Sequence, residues 1–405
     1  MMKDEEFAPY NFPIEDKTKK VIKVIGVGGG GGNAVHHMLD EKVKDVTFVV
    51  VNTDSQVLKA NKVPNKIQLG DGLGTGGNPE LGREIAEKCI EEINSIFDDD
   101  TEMVFIMAGM GGGTGTGVAP VIARAAKERG ILTVGVVTLP FKMEGKRRIE
   151  KALMGMNELK KHVDSWIVIN NERLLENEQY AELTWEDGMK MADEVLTVAT
   201  RTISEIITEH GKINRDLRDV CTVMQDGGAA VVSLAKAKGE KRIFKAMSEA
   251  LNFPLVSNMN KRKIRRLLYI VYSGDKAPAL MSELQEINDF MEEMNENVEV
   301  LWGHYHDSTL EYEIKVSLIA TGFDPDEIEE GVRNDDAQKY KRLYEKYYNG
   351  GVAGAKAASE LGRDAEIEAA SMDEGEDDEE EGYSDEIEPH FIQTLIQKLK
   401  RFTEE

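Results

Sequence analysis

Short apolar runs and amphipathic stretches alternate along the first part of the chain. The runs "KVIKVIGVG" (20–28), "VTFVVVNTD" (46–54), "MVFIMA" (103–108), "ILTVGVVTLPF" (131–141) and "SWIVINN" (165–171) are nearly continuous in apolar residues. That is the pattern of strands buried on both faces. Between them lie "NAVHHMLDEKV" (33–43), "PELGREIAEKCIEEINSIF" (79–97), "VAPVIARAAKERG" (118–130) and "KRRIEKALMGMNELKKHV" (146–163), which read as helices. Strand–helix alternation with such strands predicts a doubly wound α/β domain over residues 21–183, its parallel sheet covered on both faces. Ligands of these sheets bind beyond the carboxyl ends of the strands.

A long helix is expected next, over "TWEDGMKMADEVLTVATRTISEIITEHG" (184–211). Thr184 and Asp187 suit its N-cap and Gly211 its end. Val195, Leu196, Ala199, Ile203, Ile206 and Ile207 cover much of its circumference, so it should lie between two domains, buried on more than one side. Beyond it the runs "VCTVM" (220–224), "AAVVSLA" (229–235), "RRLLYIVYSG" (265–274), "NVEVLWGHYH" (297–306) and "YEIKVSLIATGF" (312–323) read as strands. With helices over 241–252 and 277–294 they predict a smaller α+β domain, residues 212–325. A charged, tyrosine-bearing helix and an acidic linker follow (326–386), the acidic part including "DEGEDDEEE" (373–381). Residues 387–405 carry Phe391, Ile392, Leu395, Ile396, Leu399 and Phe402 on one helical face, with Lys398, Lys400 and Arg401 among them. This end suits a partner groove or a membrane surface.

Composition narrows the function. The chain has 405 residues, 41% of them apolar, enough for two cores, and no apolar run long enough for a membrane span. Residues 1–20 are acidic and polar, unlike a signal peptide, so a cytoplasmic protein is expected. Cys89 and Cys221 stand in unrelated contexts and read as reduced, packed thiols. A net charge of -25 argues against nucleic acid as a general partner.

Candidate chemistry lies in three glycine-rich segments near strand ends: "GVGGGGGNAV" (26–35), "GDGLGTGGNPE" (70–80) and "GMGGGTGTG" (109–117). Gly26–Gly31 formally matches G-x-G-x-x-G, with Asp54 after the next strand, which alone would suggest a dinucleotide-binding dehydrogenase. Three such loops around one rim can instead wrap a polyphosphate, with backbone N–H groups, helix N-termini and the hydroxyls of Thr114 and Thr116 as donors. A bland alternative is that the glycines only permit tight turns. None of the loops carries a P-loop lysine, so the positive charge that hydrolysis requires must come from elsewhere. His304 and His306 share a strand face, but no third metal ligand accompanies them.

These residues also resemble a known family. "GMGGGTGTG" is the tubulin-superfamily signature, and "KVIGVGGGGGNAV", "VNTD", "GLGTGGNPE", "LPFKMEG", "IVINNERLL", "DGGAAVVS" and "LIATGF" occur in the same order as in its FtsZ branch, so the resemblance spans most of residues 21–323. It implies GTP or GDP with Mg²⁺ as the ligand. Gly29, Gly30 and Asn33 would line the first loop, with Asp54 beside the second, and Thr75 and Gly76 would face the γ-phosphate. Gly112, Thr114, Gly115 and Thr116 would hold the α- and β-phosphates. Glu144 would take the ribose, with Arg148 near sugar and phosphates, and Asn171 and Asp193 would read guanine. Met189 stands where the family usually packs phenylalanine on the base. Asn214, Asp216 and Asp219 would form a catalytic loop that completes the site of the next subunit in a head-to-tail filament. Arg215, Leu217 and Arg218 depart from that loop's usual residues. The implied function is an assembly-dependent GTPase that forms the division ring at mid-cell, with residues 387–405 binding membrane-anchor and other division proteins. The departures leave open a related filament protein of structural or cell-shape role with weak hydrolysis.

Overall fold

The computed structural model describes residues 21–173, 184, 197–203, 205–206, 217–251, 261–294, 296–322, 343–344 and 347–348. Ten strands form one sheet: β1 (Ile22–Val27), β2 (Val46–Asn52), β3 (Asn65–Gln68), β4 (Met103–Gly109), β5 (Leu132–Leu139), β6 (Ser165–Asn170), β7 (Gly228–Ala237), β8 (Arg266–Ser273), β9 (Glu299–His306) and β10 (Ile314–Thr321). Their order is β3-β2-β1-β4-β5-β6-β7-β10-β8-β9. The first six are parallel, in register Val27↔Val51 and Val27↔Ala108 beside β1. β6 continues into β7 through only two paired positions, Ser165↔Gly228 and Trp166↔Ala229. There the sheet becomes mixed, with β10 antiparallel to both β7 and β8.

Every residue of β1 is buried, as two covered faces require. Val24, Phe105, Val136 and Ile167 face one cluster, and their sequence neighbours Ile25, Val104, Val137 and Val168 face the other. On the first face pack α1 (Gly28–Asp40), Ile203 and Ile206 of the central helical stretch, and second-domain residues such as Leu268, Tyr272 and Ile319. Ala199, Thr200, Thr202 and Ile203 are all buried, so this stretch is enclosed on several sides, as its apolar circumference predicts. The second face holds α3 (Pro79–Lys88), α4 (Ile90–Ser95), α5 (Thr114–Lys127) and α6 (Lys146–Lys160). Residues 242–251 and 284–292 form helices α8 and α9 on the second-domain sheet, with 217–224 as α7. Among the described residues, no helix is long and apolar enough to cross a membrane.

Several expected elements differ. "VCTVM" is helical: α7 (Leu217–Met224) buries Val220, Val223 and Met224 on one face, a spacing hidden when the apolar run is read without Leu217. The helix expected from Asn33 begins at Gly28, and that expected from Val118 begins at Thr114. The stretch 79–97 breaks at Cys89 into α3 and α4. β3 and the short α2 (Ser55–Ala60) lie where only loop was expected, β3 being a mostly exposed edge strand with no apolar pattern.

Candidate functional site: a nucleotide rim

Helices α1 and α5 begin at the carboxyl ends of β1 and β4, and both begin bare. Neither has a side-chain cap on its N-terminal amides, and neither carries an acidic residue in its first turn. Their neighbours are finished within the chain. Asp54 caps α2, its Oδ1 accepting from the amides of Gln56 (2.8 Å) and Val57 (3.2 Å). Asn78 caps α3 by accepting from the amide of Glu80, with Pro79 in the first turn. Uncapped amides and the positive end of the helix dipole, at two adjacent helices, suit an anion.

The glycines divide into two kinds. A β-carbon on Gly31 would sit 2.0 Å from the Met107 carbonyl oxygen, and one on Gly115 would sit 2.5 Å from that of Gly109. These glycines let α1 and α5 close onto β4. Gly29 and Gly112 have neither reason: their φ angles are ordinary, and nothing lies within 4 Å of where a β-carbon would stand. The space in front of them suits a ligand that approaches backbone.

The other candidate residues lie on these helices and on the loop after β3. Thr114 Oγ1 lies 2.7 Å from Thr53 Oγ1, which ties α5 to the end of β2. Thr116 is buried, and its hydroxyl accepts from the Gly111 amide at 2.8 Å, supporting the loop from within. Thr75 is buried against Gly113, while Gly76 is exposed, with a left-handed φ of 55°. Asn33 is exposed on α1. The amide of Ser55 donates to Gly72 and that of Gly74 to Thr53, so the 70s loop is fastened to the end of β2.

Glu144 lies in a short 3₁₀ turn (Lys142–Glu144) after β5, accepting from the Phe141 amide at 2.9 Å. Its Oε2 is 3.0 Å from Arg148 Nε, and the Arg148 stem crosses Gly111. Arg148 thus stands beside the glycine loop, with its guanidinium paired to Glu144. Lys151, one turn further along α6, donates to the Gly77 carbonyl at 2.6 Å. It was not among the sequence candidates, although its i,i+3 spacing from Arg148 places both on one helix face. Asn171 follows β6 and is buried, and its Oδ1 has no hydrogen-bond partner among the described residues. A buried amide oxygen left unpaired is costly unless a ligand donor reaches it.

Asp219, the catalytic candidate that falls among the described residues, is not on this rim. Asp219 lies on α7, and the carbonyl of Met224 at the end of that helix accepts from Ser165, the first residue of β6. The amino edge of the parallel sheet is therefore the edge to which α7 is tied. From Ser165 the six residues of β6 span about 17 Å to the rim. Asp193, Asn214 and Asp216, with Met189 and Arg215, lie outside the described residues.

A sheet in this order, parallel through its first six strands with a glycine rim and mixed beyond β7, defines a tubulin-type GTPase. Residues 21–179 match the Tubulin/FtsZ family GTPase domain, and residues 228–324 match the FtsZ family C-terminal domain. The chain is 44% identical over 338 residues to the cell division protein FtsZ of Porphyromonas gingivalis, covering 82% of this chain and 73% of that one. It is 41% identical over 318 residues to the cell division protein FtsZ of Aquifex aeolicus, covering 76% and 85% of the two chains. The structure of an empty FtsZ dimer from M. jannaschii superimposes with a TM-score of 0.66 at 38% identity, covering 78% of this chain and 90% of the other. The chain belongs to the FtsZ family.

Proposed function

We propose that this protein is a GTP-hydrolysing cytoskeletal protein that polymerises head-to-tail and forms the division ring in the cytoplasm at mid-cell. The observation that carries this reading is the rim itself, where two bare helix N-termini meet at Gly29 and Gly112. The amides there bind the oxygens of GTP, with Thr114 and Gly115 at the α- and β-phosphates and Thr75 and Gly76 toward the γ-phosphate. Arg148 and Lys151 add positive charge from α6. Asn171 Oδ1 accepts a hydrogen of the guanine edge, with Asp193 as its partner, and Glu144 takes the ribose.

A Mg²⁺ ion fits this donor set as one held largely by the phosphates. Among the described residues no cluster of three His, Cys, Asp or Glu side chains forms a cage, and Mg²⁺ bound with nucleotide needs only one or two carboxylates. Asp54 is such a carboxylate: Oδ1 takes both capping bonds and leaves Oδ2 toward Gly74. When bound, the ion neutralises phosphate charge.

Water attacks the γ-phosphorus in line as the bond to the GDP oxygen breaks, and a carboxylate orients the water and takes its proton. Asp216 and Asp219 supply carboxylates and Asn214 an amide from a second copy, a reading supported by α7, which carries Asp219 and is tied to the opposite edge of the sheet. A head-to-tail contact of this kind does not close and gives a filament. Residues 387–405 bind membrane-anchor and other division proteins.

With GTP and Mg²⁺, turnover per molecule should rise above a threshold protein concentration, and electron microscopy should show filaments. Asp216→Ala should abolish turnover and keep GTP binding. A specific activity that stays flat over a wide concentration range overturns assembly-coupled hydrolysis.

A further inference from the structure

Part of the tyrosine-bearing segment after the second domain packs on the first. Leu343, Tyr347 and Tyr348 are buried in the same cluster as Ile149, Leu153 and Met156 of α6 and Val168 of β6. Tyr344 and Tyr348 stack with ring centres 5.2 Å apart. The Lys160 ammonium lies 4.6 Å from the Trp166 ring centre and 5.9 Å from that of Tyr347, joining α6, β6 and this segment.

Two hydrogen bonds carry the contact to the nucleotide rim. The Tyr348 hydroxyl donates to the Pro140 carbonyl at 2.7 Å, across 208 positions of sequence. Asn170 Nδ2 donates to the Tyr347 carbonyl at 2.5 Å. Pro140 begins the turn that holds Glu144, and Asn170 precedes Asn171. The bonding continues from both anchors. Asn170 Oδ1 accepts from the Glu172 amide (3.0 Å), and Glu172 Oε2 accepts from the Lys142 amide (2.8 Å). Phe141, next to Pro140, donates to Glu144, which pairs with Arg148 against Gly111. Asn170 is 1% exposed, so its amide would be left unpaired if the segment came away.

We propose that Tyr347 and Tyr348 form a positioning clamp for the nucleotide site. The clamp fixes the 140–144 turn and the Asn170–Glu172 segment from behind, and so sets the affinity for guanine nucleotide. Neither tyrosine touches the ligand: Tyr348 acts through Pro140 on Glu144 and Arg148, and Tyr347 acts through Asn170 on Asn171. This inference rests on the guanine-nucleotide reading of the rim.

Tyr348→Phe in the full chain tests it, because the ring and its packing stay and one hydroxyl goes. The probe is a fluorescent GDP analogue, with thermal melts recorded with and without saturating GDP. Loss of the bond should weaken nucleotide binding about three- to tenfold. The rise in Tm produced by GDP should shrink, since a ligand stabilises according to its affinity. Tyr312→Phe, at an exposed second-domain tyrosine, should change neither quantity. Unchanged affinity, with Tm lowered equally in the free and GDP-bound protein, means a merely structural tyrosine and overturns the clamp. Failure of the unmodified protein to bind GDP overturns the guanine-nucleotide reading instead.

Discussion

Helices α1 and α5 start differently from α2 and α3, although all four border the same rim. Asp54 and Asn78 complete the amides of α2 and α3 from within the chain, while α1 begins on Gly28 and α5 follows Gly113, neither with a side-chain cap. A helix start left bare costs stability unless something else meets its amides. Two bare starts side by side, with open glycines at Gly29 and Gly112, are the arrangement that suits an anionic ligand. The capped starts are anchors for that site.

The sharpest way to break this comparison is to fill the two kinds of glycine. Gly31→Ala should destabilise the protein by about 3 kcal/mol or more, because its β-carbon meets backbone that cannot move aside. Gly112→Ala should leave stability within about 0.5 kcal/mol and weaken GTP binding at least about tenfold. Urea unfolding and nucleotide titration measure both. Equal loss of stability in the two variants would make Gly112 a packing glycine.

Acid should act away from the rim. Burial works against the charge on Asp307, but hydrogen bonds from Thr309 and Lys315 prevail and hold its carboxyl down at about 2. Lys315 also lies over the Tyr272 ring and 3.7 Å from Glu205 of the central helical stretch. A depressed carboxyl stabilises the fold above its unfolded pKa, and that stability goes as pH falls through the folded value. About 2 kcal/mol should therefore be lost between pH 4 and pH 2. Asp307→Asn should flatten this part of a stability–pH profile, and an unchanged profile would count against the pairing.

The smallest effect is expected at the caps. Asn78→Ala should lower stability by about 1 kcal/mol and change GTP affinity by less than about twofold. A thermal melt and a nucleotide titration check this. A large loss of affinity would mean that the capped starts also contribute directly to binding.

Much of this was legible in the residues. The parallel strands of the first domain show as continuous apolar runs, because a strand covered on both faces has no polar side to display. The order of the glycine loops and of "LPFKMEG" and "IVINN" pointed to Glu144, Arg148 and Asn171, which the fold does bring to one rim. Other elements were hidden for identifiable reasons. Glycine disfavours helix, so the starts of α1 and α5 read as loop until close approach to β4 explains them. A five-residue apolar run does not distinguish helix from strand, and "VCTVM" was misread until Leu217 joined its face. Lys151 was missed because nothing in its sequence neighbourhood reveals the Gly77 carbonyl.

The sequence by itself determined the alternation of strands and helices, the glycine loops and the family resemblance, since each depends on residues close together in the chain. Tertiary structure alone decided which glycines are packed and which are open, and which helix starts remain bare. It also decided that α7 is tied to the far edge of the sheet and that Tyr348 reaches Pro140. Those are contacts between distant segments, and local pattern carries no information about them until the core has closed.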